Sequence, residues 1–90
     1  MSDFLEKDFE RAQKRVWDLK ECSNNDKLKI YGLFKQATVG NVNTSEPVGW
    51  LTSLKTKAKW EAWKGNEGLT QNNAKREYVK LIRKLFEEQN

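Results

Sequence analysis

Tyr31 and Lys35 stand four residues apart in the stretch YGLFKQATVG (31–40), and Lys55 and Lys59 repeat that spacing further along. On a helix, residues four apart lie above one another on one face. The phenol ring offers a stacking surface and a hydroxyl beside an ammonium group. Two more cations follow, with the small side chains Ala58 and Ala62 leaving space beside them. If neighbouring helices bring these groups together, one ring and three cations can converge on a phosphate. A lone exposed ion pair contributes little. A charge-assisted hydrogen bond shielded by a ring contributes roughly 1.5–3 kcal/mol. The spacing alone suits an ordinary decorated helix as well; convergence of the helices would make it a pocket for a phosphorylated aromatic ligand.

Catalysis finds no support. The chain has no histidine, and its one cysteine is Cys22. No histidine base, activated nucleophile, metal-ligand cluster or internal disulfide follows from such a set. The stretch KAKWEAWK (57–64) threads lysines through two tryptophans, and it carries two readings. Exposed rings would make it a basic-aromatic nucleic-acid surface. Buried rings, which the spacing of three between Trp60 and Trp63 favours, would make it a core stripe. Lys57 and Lys64 read as a solvated face, and Cys22 in a loop segment reads as incidental.

Those residues need elements to hold them. Ninety residues fit a single domain, 1–90. A chain this short buries only about 60% of its unfolded surface. Seventeen Lys+Arg against thirteen Asp+Glu leave a net charge of +4, concentrated in the middle of the chain. That balance suits an anionic partner of limited size and is thin for a dedicated DNA binder. No apolar run reaches eighteen residues and the first ten residues are acidic, so neither a membrane span nor a secretory signal is expected. A reduced, cytoplasmic setting is the expectation.

Four segments carry helical periodicity and none alternates like a strand. Leu5, Phe9, Ala12, Val16 and Leu19 form one face of a first helix, with Ser2 or Asp3 as its cap. CSNND (22–26) breaks it. A second helix runs from near Asp26 to a stop at Gly40. A third, capped by Thr52 or Ser53, ends at Gly65. A fourth starts after Thr70 and carries Ala74, Tyr78, Leu81, Ile82 and Leu85. The link VGNVNTSEPVGW (39–50) is long enough to return past a whole helix, roughly 40 Å when extended. It sets the third helix parallel to the second. The fold expected is an all-α four-helix bundle with a long crossover between helices 2 and 3.

IYGLFKQATVGNVN (30–43), then Pro47, then KAKWEAWKG (57–65), resembles the acyl-CoA-binding protein family over nearly the whole chain. The resemblance implies a four-helix acyl-CoA-binding fold with a bowl for long-chain acyl-CoA esters, and no cofactor. It implies that Tyr31 and Lys35 meet the adenine and 3′-phosphate of CoA and that Lys59 reaches the head group. Tyr78 lines the same site, Lys55 lies beside the acyl chain, and Leu28 and Ala58 flank the ligand. Gln13 joins this set on the first helix, and Trp60 is a core residue in that scheme.

Two departures from the family pattern stand out. Trp17 occupies a place where a lysine is common. Stacking of Trp17 on the adenine, with Lys14 supplying part of the lost charge, is the expectation. The loop EPVGWLTSL (46–54) is about two residues longer than the common form, and Trp50 within it either shapes the tail entrance or packs on the bundle. The function implied is that of a monomeric acyl-CoA carrier and pool buffer, not an enzyme, with transient contacts to acyl-CoA-using enzymes and membranes. The alternative is the nucleic-acid-binding helical module.

Overall fold

The structure, a computed structural model, describes residues 2–49 and 52–89, with side chains from residue 4 onward. Trp50 and the capping side chains expected of Ser2 or Asp3 lie outside what is described. Four helices follow in order: α1 (Ser2–Arg15), α2 (Asn24–Thr38), α3 (Leu54–Lys64) and α4 (Gln71–Gln89).

The expected boundaries hold within a few residues, with one instructive exception. The first helix does not continue in α form to Leu19. It tightens into a 3-10 turn over Val16–Asp18, and Leu19 is already extended. Ser23 caps α2 by accepting from the Asp26 amide, and Ser53, not Thr52, caps α3 by accepting from Thr56. Gly40 takes a φ of +98°, and its amide closes on the carbonyls of Lys35 and Gln36. Only glycine adopts that conformation cheaply. Gly65 ends α3 with an ordinary helical φ of −62°, and the left-handed residue of this turn is Gly68.

α4 is the hub. Ala74, Tyr78, Ile82 and Leu85 form a buried spine along it. α1 packs on α4, and α2 packs on α4 and on α3. The pairs Tyr31–Lys59, Gly32–Ala62 and Lys35–Trp63 advance together along both chains, so α2 and α3 run parallel, as the crossover length requires. The result is a splayed layer with extents of 41 × 30 × 16 Å.

α1 and α2 meet chiefly through rings. Phe9 contacts Tyr78 edge-on at 5.1 Å between centroids, and Phe34 lies 6.4 Å from each of them. Burial in this cluster pushes the Tyr78 phenol above its ordinary value. At the other edge, α3 buries little besides Trp63. Its indole donates to the Gly40 carbonyl at 2.8 Å, and that of Trp60 donates to the Thr44 carbonyl at 3.1 Å. Trp60 is thus half-exposed and pins the crossover, instead of lying in the core. Gln36, fully buried, donates to Asn41 Oδ1 and to the Leu69 carbonyl, tying the start of the crossover to the turn before α4.

Two consequences are measurable. A Cβ on Gly32 would stand 2.5 Å from the Ala62 carbonyl oxygen. Gly32→Ala should force α2 and α3 apart and lower unfolding free energy by about 1–3 kcal/mol in urea titration. The unfolded phenol of residue 78 loses its proton at lower pH than the native one. Its contribution is therefore complete below about pH 10 and declines as pH rises beyond. Denaturation midpoints between about pH 9 and 11 should fall more steeply for the parent than for Tyr78→Phe.

Candidate ligand-binding site

Splaying of α1 and α2 over α4 opens a cavity of about 560 Å³. Gln13, Val16, Trp17 and Leu19 line it from the first helix and its 3-10 turn, and Cys22 from the following loop. Lys27, Ile30, Tyr31 and Phe34 line it from α2, and Tyr78 closes it from α4. The 3-10 turn matters here, because it leaves Trp17 87% exposed at the rim while Val16 packs inward.

A second cavity of about 450 Å³ lies between α2 and α3. Asn24, Lys27, Leu28 and Tyr31 form one wall, and Leu54, Lys55, Ala58 and Lys59 the other. Lys27 and Tyr31 line both cavities, so the two adjoin along one row of α2. Three lysines and no carboxylate face this combined space. Its potential is positive, and its walls are otherwise aromatic and aliphatic.

Eight of the ten residues singled out in the sequence line these cavities: Gln13, Trp17, Tyr31 and Tyr78 in the first, and Leu28, Tyr31, Lys55, Ala58 and Lys59 in the second, with Tyr31 in both. Lys59 reaches over the Tyr31 ring, its ammonium 5.3 Å from the centroid. This cation–π contact holds the phenol and the charge together. Lys35 and Lys14 line neither cavity. Lys35 is half-buried with its ammonium 4.8 Å from the Trp63 ring centre, one turn beyond Tyr31, and Lys14 is exposed on α1.

Sequence reasoning passed over Lys27, although it stands four residues before Tyr31 on the same face. It also set Cys22 aside. That thiol is half-buried on the cavity wall, and burial together with Asp26 pushes its pKa up, so it behaves as an apolar lining group. The apolar floor of Val16, Ile30 and Phe34 carried a helix-periodicity signal only, which cannot separate core from cavity wall.

The arrangement suits a ligand with an aromatic or phosphorylated portion and an apolar one. A family profile described as acyl CoA binding protein matches residues 6–82. Acyl-CoA-binding domain-containing protein 3 of Oryza sativa subsp. japonica is 46% identical over 93% of this chain, which spans only 54% of that protein's length. The acyl-CoA-binding protein of Gossypium hirsutum is 43% identical, with 92% of each chain covered. Among solved structures, Oryza sativa acyl-CoA-binding protein 2 superposes with a TM-score of 0.87 at 41% identity, covering 94% of this chain and 93% of that one. With its cavities, its tyrosine–lysine row and these matches in agreement, the chain belongs to the acyl-CoA-binding protein family.

Proposed function

We propose that this protein binds medium- to long-chain acyl-CoA esters one-to-one and serves as a carrier and pool buffer, not as an enzyme. The observation that carries this reading is the adjoining pair of cavities, where Tyr31 and three lysines face one space free of carboxylates. Coenzyme A brings about four negative charges through its 3′-phosphate and pyrophosphate, and a cationic pocket of restricted access attracts them. The tail brings the larger gross term. Shielding fourteen to sixteen carbons is worth roughly 0.8 kcal/mol per CH₂, near 10 kcal/mol in total. Much of that is offset by the freedom the ligand loses.

In this reading Lys59 and Tyr31 engage the head group, and Lys35 swings from Trp63 onto the 3′-phosphate. Gln13, Trp17 and Tyr78 surround the adenine, and Lys14 adds charge from the rim. Leu28, Lys55 and Ala58 accompany the tail. The protein works as a cytoplasmic monomer that passes its ligand to enzymes and membranes by transient contact. The nucleic-acid alternative loses its physical basis at the tryptophans. Trp63 is buried and Trp60, half-exposed, is pinned by its N–H to the Thr44 carbonyl, so the two do not form an exposed pair of rings for base stacking.

Isothermal titration with acyl-CoAs of graded length tests this directly. Palmitoyl-CoA should bind far more tightly than palmitate, and Lys59→Glu and Lys35→Glu should each weaken it at least tenfold. Equal affinity for ester and free acid, or indifference to both charge reversals, would contradict the reading. Trp17→Ala should weaken palmitoyl-CoA by about three- to tenfold, the scale of one lost stacking contact. Unchanged affinity would remove Trp17 from the site.

A further inference from the structure

Lys27 and Tyr31 are the two side chains that line both cavities. They stand four apart on α2, and Lys35 extends the row by another four. Neighbours in such a row are about 6 Å apart along the helix axis. The two flanking positions differ in how they are held. The Lys35 ammonium rests against Trp63, whereas Lys27 is exposed, and among the described residues no carboxylate lies within ion-pair distance of it. Lys27 lines the first cavity together with Cys22 of the loop before α2.

Any ligand that fills both cavities crosses the row at Lys27 and Tyr31. We propose that Lys27 is a head-group-binding residue of this site, pairing with the pyrophosphate of coenzyme A where the ligand passes from one cavity to the other. This rests on the acyl-CoA reading above. In coenzyme A the 3′-phosphate and the pyrophosphate flank a single ribose, a separation of about one helical turn. Lys27 and Lys35 lie on either side of Tyr31, eight residues and about 12 Å apart along the axis, and their flexible side chains leaning toward Tyr31 bring the two ammonium groups to that shorter separation, with the 3′-phosphate toward Lys35 and Lys59 and the pyrophosphate toward Lys27. Trp17 gives the rim opposite Lys27 no charge, so α2 supplies there a cation that the 3-10 turn does not. Lys27 acts on the head group alone, so its contribution is independent of tail length.

The test compares the parent with Lys27→Met and Lys27→Arg by titration with coenzyme A, 3′-dephospho-coenzyme A, octanoyl-CoA and palmitoyl-CoA. Lys29→Met serves as a control, because Lys29 lines a groove on the opposite face of α2 with Leu33 and Leu81. Lys27→Met should weaken all four ligands by a similar factor of about ten. Lys27→Arg and Lys29→Met should stay within about twofold of the parent, and all variants should melt with the parent. A loss confined to palmitoyl-CoA would make Lys27 a tail contact and overturn the proposal. So would a loss that disappears with 3′-dephospho-coenzyme A, or no loss at all. Those outcomes leave the acyl-CoA reading standing if the parent binds palmitoyl-CoA, whereas a parent that binds none of the four overturns both.

Discussion

Everything in this molecule depends on the side-chain wedge that keeps α1 and α2 apart. Phe9, Phe34 and Tyr78 fill the angle between these helices and α4, and their three ring pairs are edge to face, tilted and stacked. Aromatic pairs in such geometries are favourable beyond the area they bury. Because the wedge is as wide as a ring, the helices cannot close their ridges into each other's grooves above it. The space left over is the first cavity, and Tyr78 is at once the last core residue and the first cavity residue. Core and site are therefore one packing problem, in which filling the wedge with smaller side chains would collapse the bowl.

The second constraint is the crossover. α3 has a weak apolar face and touches α2 alone among the helices with substantial contact. It is positioned by two indole N–H groups that grip the carbonyls of Gly40 and Thr44 and by the Gln36 amide behind them. That grip sets the register in which Lys59 lies over Tyr31 and Lys35 over Trp63. Gly32 permits the approach by lacking a side chain where the Ala62 carbonyl comes closest. One motif thus divides its labour along a helix. Tyr31 lines the cavities and Lys35 rests on Trp63 one turn beyond, while Gln36, Ala37, Gly40 and Asn41 hold the frame.

Much of this was legible in the sequence, for reasons that can be stated. Periodicity located the four helices, because each must bury one stripe. The length of the link after Gly40 dictated a parallel second pair, because the chain must travel back before α3 begins. The tyrosine–lysine spacing placed those groups on one face. Less legible was anything that depends on where one helix sits against another. Periodicity could not show that Val16, Ile30 and Phe34 face a cavity, or that Trp60 would spend its N–H on a loop carbonyl. Nor could it foresee the 3-10 turn that leaves Trp17 exposed, or the tie just beyond it between Gln89 and the backbone of Lys20 and Glu21. Lys27 was overlooked because a lysine at a helix start reads as solvated surface until its neighbours are known.

The flatness of the fold has one more implication. A layer only 16 Å through cannot place hydrocarbon on both sides of its inward-facing residues. A tail lying in the bowl would act as the absent layer, covering apolar surface the polypeptide is too short to cover itself. Occupancy and folding are then thermodynamically linked, and the loaded form is the more durable one. Cargo of this kind doubles as scaffolding: abundant ligand would preserve the fold, and its depletion would leave the chain open to proteases.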